Sequence, residues 1–311
     1  MTEVTIGIDI SKDRLDVHRL PDGETASFGN DKAGLKRLKH WLGTSVRRVV
    51  FEPTGRYHLA LERRLAEAGY PLVKVNPLHA KRFGEALGAR AKTDRADAVM
   101  LARMGLALQL EPRPVGTKGL RDLNDLIAAR RALVKDRTAA KNRAKGIGLA
   151  ILRRQNADRL KRIGTDIKAV DAAIAELIAA DETLSAQHAI LLSIPGIPTV
   201  TAAALMARMP ELGAFDQRAV ASLAGLAPMT RQSGQWRGKA FIKGGRALVR
   251  EALYMPALVA ARFNPDLKAV HDRLIEAGKP AKVAITAVMR KLLVLANALL
   301  RDQRKWTPAP A

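Results

Sequence analysis

The run Ile6-Gly-Ile-Asp-Ile10 decides how the N-terminal third of this chain is read. Alternate residues of a strand face opposite sides, so Ile6, Ile8 and Ile10 share one face while Gly7 and Asp9 share the other. An aspartate in mid-strand costs free energy unless a partner compensates it. A second acid, Glu52, ends the apolar run Val49-Val-Phe-Glu52, and two more stand in Lys92-Thr-Asp-Arg-Ala-Asp97. Asp94 and Asp97 are spaced i and i+3, which puts them on one face near a helix start. Taken singly, Asp94 reads as a cap, Asp97 as a surface partner of Arg95, and Glu52 as an ordinary strand-end acid. Asp9 is the hardest of the four to explain in such a way. As a set, the four acids form an oxygen-ligand cage for a divalent cation, and two Mg²⁺ ions about 4 Å apart would activate a nucleophile and stabilise a leaving oxygen. Asp13 and Asp16, in the following turn and strand, rank lower as ligands.

Outward from this run the order of elements is clear. Leu15 to Leu20 and Thr25 to Phe28 complete an antiparallel meander around the turn signal Pro21-Asp-Gly23. Asp31 caps a helix through Trp41, and Val46 to Phe51 is a fourth strand. Pro53-Thr-Gly55 leads into a helix ending near Gly69. A fifth strand, Leu72 to Val75, precedes helices over Pro77 to Leu87 and Thr93 to Leu108. Three strands, a helix, then strand–helix–strand–helix is the order of the ribonuclease-H-like fold, where strands one and four are neighbours. That adjacency brings Asp9 beside Glu52.

Glu111-Pro-Arg-Pro114 reads as a linker, followed by a heavily charged helical stretch from about Thr117 to Ser185. Leu120, Leu123, Leu126 and Ile127 form one apolar stripe, and Ile167, Val170, Ile174, Leu177 and Ile178 a second. Gly146 and Gly148 interrupt between them, which predicts a long helical hairpin or coiled coil. Its middle is rich in cations, Arg130, Lys141 and Arg143 among them, with too few acids to pair most of them at i,i+4. A phosphate-tracking surface follows. The expected class is α/β plus all-α: residues 1–112 α/β, 113–188 a helical connector, and 189–311 a helical C-terminal domain.

In that last segment, Gly225-Leu-Ala-Pro-Met-Thr-Arg-Gln-Ser-Gly-Gln-Trp-Arg-Gly-Lys239 surrounds Ser233 with Arg231, Arg237, Lys239, Lys243, Arg246 and Arg250. A serine attacking a phosphodiester must lose its proton and have the developing charge neutralised; the arginines supply the second requirement. No histidine is near in sequence to act as base, and a plain Ser-Gly turn is the simpler reading. Ile194-Pro-Gly-Ile-Pro198, between two helical stretches, resembles a helix-hairpin-helix element that aims backbone N–H groups, around Gly196, at phosphate. Pro198 stands where a second glycine is usual and removes a donor.

Bulk composition sets limits. Over 311 residues, Lys and Arg total 53 against 30 Asp and Glu, a formal net charge of +23. The balance predicts a polyanionic partner, nucleic acid before membrane. The chain has no cysteine, which excludes disulfides, thiol catalysis and Cys-ligated zinc. Its N-terminus lacks a signal-peptide pattern, and no charge-free apolar run approaches the roughly 18 residues of a membrane span, so the expectation is a cytoplasmic protein.

These residues also resemble a family. Gly7-Ile-Asp-Ile-Ser-Lys12, Glu52-Pro-Thr-Gly-Arg-Tyr-His58, Val75-Asn-Pro77 and Lys92-Thr-Asp-Arg-Ala-Asp-Ala98 look like the N-terminal domain of the DEDD insertion-sequence transposases related to the pilin-inversion recombinase Piv. Ile194-Pro-Gly196, Gly225-Leu-Ala-Pro228, Gln232-Ser-Gly234 and Lys243-Gly-Gly245 through Arg250 look like that family's C-terminal transposase domain. The resemblance implies a RuvC-like ribonuclease-H fold, a coiled-coil connector and a helical domain with a nucleophilic serine. It implies Asp9, Glu52, Asp94 and Asp97 as Mg²⁺ ligands and Ser233 as the residue that forms a transient phosphoserine link to DNA. It further implies donor and target DNA as substrates, an element-encoded structured RNA as guide, and a homo-dimer or tetramer with a composite site. The alternative from the residues is a RuvC-like junction resolvase, which uses water as nucleophile and does not need Ser233.

Overall fold

A computed structural model describes residues 3–88, 94–112 and 116–308. Lys92, Thr93 and the Asp94 side chain of the acidic cluster, and Arg113 and Pro114 of the expected linker, lie outside the described residues. The chain is mixed α/β and mostly helical, in two compact units, Met1–Val115 and Gly116–Ala311.

In the first unit, β1 (Val4–Ile10), β2 (Arg14–Leu20) and β3 (Thr25–Gly29) form an antiparallel meander. α1 (Lys32–Leu42) follows, capped by Asp31, whose carboxylate accepts from Gly34 N at 2.7 Å. β4 (Val46–Phe51) returns beside β1 and parallel to it, α2 (His58–Glu67) crosses over, and β5 (Leu72–Lys74) adds parallel to β4. The five-stranded sheet has the order β3-β2-β1-β4-β5. α3 (Pro77–Ala86) and α4 (Asp94–Ala107) complete the unit.

Both faces of this sheet are covered, which is why its parallel strands read as near-continuous apolar runs. The isoleucine face packs with α1 and α2: Ile6, Ile8 and Phe51 meet Leu38, Leu61 and Leu65, all essentially buried. On the other face Val50 and Val73 pack with Ala80, Leu101 and Met104 of α3 and α4. A Cβ on Gly7 would stand 2.1 Å from Ala98 O and 2.5 Å from Ala102 N, so α4 lies directly on β1. One on Gly105 would meet Val50 at 2.5 Å and Thr5 at 3.2 Å. α4 thus runs antiparallel to β1. Its C-terminal end is held by the buried Arg48, which donates to Gly105 O at 2.8 Å and to Glu3 at 2.8 Å. A cation at a helix C-terminus also suits the helix dipole.

The second unit is helical. α5 (Lys118–Ala144) and α6 (Ala150–Ala179) form the expected long hairpin. Leu123 and Ile127 of α5, with Ile174 and Ile178 of α6, enter one core shared with α7 (Glu182–Leu192), α8 (Thr199–Arg208) and α9 (Gln217–Leu223). A small hairpin, β6 (Gln232–Ser233) and β7 (Trp236–Arg237), precedes α10 (Ala247–Phe263), α11 (Pro265–Glu276) and α12 (Ala281–Arg301). Pro256 inside α10 cannot donate to Ala252 O, and Thr201 Oγ1 of α8 approaches that carbonyl at 3.5 Å instead. Among the described residues α12 is the one helix long and apolar enough to cross a membrane. Arg290 and Lys291 break its apolar run, and Leu292, Leu293 and Leu299 are buried in the core.

Candidate active site and nucleic-acid interface

Thr5, Gly7 and Asp9 alternate onto the face of β1 that α4 covers. In the parallel register Ile8 stands beside Phe51, so Asp9 and Glu52 follow one another at the C-terminal ends of adjacent strands. Glu52 shares the α4 side with Arg48 and Val50. Because α4 runs antiparallel to β1, its first turn, with Asp94 and Asp97, lies toward that same end. Asp9, Glu52 and Asp97 are each half-buried rather than enclosed, and each makes contacts with its surroundings. Sheet order and helix direction together bring toward one end of the sheet acids spread over 88 positions of sequence, from Asp9 to Asp97.

Two residues here carry weight that the sequence did not reveal. Asp16, ranked low from sequence, is directly opposite Asp9 in the β1–β2 register and is buried. Directly opposed side chains share a face, and like charges so placed repel. Arg14 Nε relieves part of this, donating to Asp16 at 2.9 Å. Asn30 donates its amide to Ser11 O at 2.9 Å and Tyr57 O at 3.1 Å, tying the loop after β1 to the loop after β4. No short motif signals a residue that acts through two distant carbonyls. His58, at the start of α2, packs on Phe51 at 6.3 Å between centroids and lies 3.6 Å from Glu62. Burial lowers its pKa, Lys74 lowers it further, and Glu62 opposes them.

In the second unit Ser233 pairs with Trp236 across the two-residue turn Gly234-Gln235, with Gly234 at φ +56°. A positive φ there suits a tight hairpin. Ser233, Arg231, Arg237, Lys239 and Lys243 are all exposed. Arg231 stacks over Phe241 at 4.8 Å, and Met229 and Phe241 exchange backbone hydrogen bonds at the hairpin's base. Arg246 and Arg250 are committed differently. Arg246 forks onto Glu211 at 2.5 and 2.7 Å and donates to Arg208 O. Arg250 donates to Ala224 O at 3.0 Å and Gly244 O at 2.5 Å, joining the two ends of the serine-bearing segment. Beside that bond the backbones interlock: a Cβ on Gly245 would stand 2.2 Å from Gly225 N.

Gly196, at φ +103°, packs on α10, where an added Cβ would stand 2.8 Å from Ala260 Cβ. Arg130 forms an ion pair with Asp171 at 2.5 Å across the α5–α6 hairpin, while Lys141 and Arg143 are exposed nearer its tip.

A model of the DEDD transposases of the IS110 type matches residues 6–149, and one described as the transposase IS116/IS110/IS902 family matches residues 188–272. The pilin gene-inverting proteins of Moraxella bovis and Moraxella lacunata are each 30% identical to the chain over 324 aligned positions, covering 98% of both partners. The chain belongs to the IS110 transposase family.

An uncharacterised 42 kDa protein of insertion element IS900 from Mycobacterium paratuberculosis is 33% identical over 155 residues, 48% of this chain and 39% of its own. This IS110-family protein is a DNA transposase or recombinase. The first match takes in the sheet from Ile6 onward and α4, and the second spans the Ser233 hairpin and its anchoring arginines. The DEDD transposase family implies a divalent metal. Carboxylate oxygens are the donors that hard divalent cations take, so the donor chemistry of Asp9, Glu52 and Asp97 fits. The facing of Asp9 by Asp16 adds negative charge that a cation would offset. Among the described residues no three such side chains close on a common point, and the Asp94 side chain is not among them.

Proposed function

We propose that this IS110-family transposase cuts and rejoins DNA through a serine nucleophile and a Mg²⁺-binding carboxylate site on a RuvC-like ribonuclease-H fold. The sheet order β3-β2-β1-β4-β5, with a β1–β3 meander and parallel β4 and β5, supports the fold. The observation that carries the reading is the approach of α4 to the C-terminal ends of β1 and β4, where half-buried acids stand.

Asp9, Glu52, Asp94 and Asp97 would hold the metal, two ions in the full site. Bound Mg²⁺ supplies Lewis-acid stabilisation of the charge that develops on a reacting phosphate. Ser233 Oγ attacks phosphorus; an Oγ–P bond forms as a P–O bond to a sugar breaks, the hydroxyl proton leaves to solvent, and the departing sugar oxygen takes up a proton from solvent to become a hydroxyl. Attack on this phosphoserine by a sugar hydroxyl of the second DNA strand releases Ser233 and joins the strands. Arg231, Arg237, Lys239 and Lys243, exposed around the hairpin, hold phosphates, and Arg246 and Arg250 hold the hairpin itself. A structured RNA encoded by the element reads donor and target sequence by base pairing while the protein binds nucleic-acid shape. The exposed cations of the connecting hairpin, Lys141 and Arg143 among them, support an RNA partner. The working enzyme is a homo-dimer or tetramer.

A recombination assay with Asp9→Ala and Ser233→Ala tests this. Both variants should lose strand joining, and covalent protein–DNA adducts should form only when Ser233 is present. If Ser233→Ala still joins donor to target DNA, the serine mechanism is wrong. If instead that variant only nicks branched DNA as well as the parent does, water is the nucleophile and the resolvase reading replaces it. RNA that copurifies with the protein should map beside its own gene; random RNA would overturn the guide.

A further inference from the structure

The C-terminal unit contains a groove of about 690 Å³ between α11, α12 and the base of the Ser233 hairpin. Its size is that of an ordinary ligand site. The floor is apolar, built from Leu274, Val283, Val294 and Phe241. Arg273, Lys282, Arg290 and Lys291 line it, and no acid does. None of the four cations is ion-paired among the described residues. Lys282 and Arg290 are eight residues apart on α12, about 12 Å, which spans roughly three nucleotides at stacked spacing.

We propose that this groove binds unpaired nucleotides of the DNA strand presented to Ser233. Apolar walls take the faces of bases, and a base inside a duplex has no face to offer. Cations at the edge take phosphates. Phe241, over which Arg231 stacks, lines the groove and also stands at the base of the serine hairpin. From Met229 at that base to Ser233 is four residues, at most about 13 Å of extended chain. A strand seated in the groove therefore delivers a phosphodiester within reach of the hairpin tip. The proposal rests on the reading that the hairpin meets DNA and goes beyond it by assigning the unpaired segment a site.

The test is anisotropy binding with the full chain carrying Ser233→Ala, so that no chemistry occurs. The probes are a duplex DNA, the same duplex with a short single-stranded DNA tail, and the same tail as RNA. The parent should prefer the DNA-tailed probe by about tenfold over the duplex. Ala287→Trp, which fills the groove without removing a charge, should abolish that preference and leave duplex affinity unchanged. Lys282→Ala with Lys291→Ala, both exposed positions, should reduce the preference and its salt dependence. This pair decides the matter if Ala287→Trp does not fold. A preference that survives both variants, equal losses on duplex and tail, or a preference for the RNA tail overturns the proposal. So does displacement of the tail by an acidic amphipathic peptide with a higher affinity. A parent that binds none of the three probes overturns the broader DNA reading of the hairpin instead.

Discussion

Replacing Gly7 by alanine tests how the carboxylate site is built. The new Cβ would stand 2.1 Å from Ala98 O and 2.5 Å from Ala102 N. Ordinary contact begins at 3.4 Å, so α4 must move away from β1 by about 1.3 Å. The obstructing atoms are helix backbone, which cannot rotate aside as a side chain can. Overpacking of a core costs about 1–3 kcal/mol where side chains can adjust, and here the upper end or more applies. Urea denaturation should show the N-terminal unit destabilised by about 3 kcal/mol. The displacement also separates Asp97 from Asp9 and Glu52, and an error of about 1 Å in a catalytic group costs on the order of 10²-fold in rate. Strand transfer should therefore fall at least a hundredfold at temperatures where the variant remains folded. A Gly7→Ala protein with parental stability and activity would refute the seating of α4 on β1 and the site that depends on it.

Further outcomes follow from the same structure. Arg250→Ala removes two charge-assisted bonds to Ala224 O and Gly244 O, so hydrogen exchange across 228–245 should rise and the C-terminal unit should lose about 2 kcal/mol. Both bonds come from the single nitrogen Nη1, and a lysine ammonium also carries several N–H on one nitrogen, so Arg250→Lys should recover part of the loss. Burial is the largest cause lowering the pKa of both His18 and His58, aided by Arg103 at His18 and by Lys74 at His58. The unfolded chain therefore protonates first; their stabilisation is complete above about pH 6.5 and is lost as pH falls through their lowered folded values. Denaturation midpoints of the N-terminal unit should drop between neutral pH and about pH 5, less so in His58→Gln. Gly164 lies inside α6 with open space where a Cβ would go, so Gly164→Ala should stabilise the second unit by about 0.5–1 kcal/mol in thermal unfolding.

The local elements were legible because each is written in near-neighbour chemistry. The alternation of Ile6, Ile8 and Ile10, the cap Asp31 and the turn at Pro21-Asp-Gly23 each act within a few residues, and β1, α1 and β4 lie where those signals put them. Asp9 stood out for the same reason, as an acid in an apolar strand. The stripe of Leu123 and Ile127 likewise announced a buried helical face, which joins the core of the second unit. What the cations do was less legible. Arg246, Arg250 and Arg130 look alike in sequence to Arg231 and Arg237, yet the first three meet Glu211, two carbonyls and Asp171, and the last two face solvent. A cation's partner lies tens of residues away, and no local pattern encodes it. Asp16 ranked low and Asn30 carried no signal for the same cause: one matters through a cross-strand neighbour and the other through two distant carbonyls.

By itself, then, the sequence determined the order of strands and helices, the basic character and the few acids out of place in it. Only tertiary structure decided that α4 runs back along β1, because that direction depends on two glycines, Gly7 and Gly105, meeting backbone and side chains far off in the chain. Periodicity fixes which face a residue takes, but contact between faces is set by packing, and packing is a property of the whole unit.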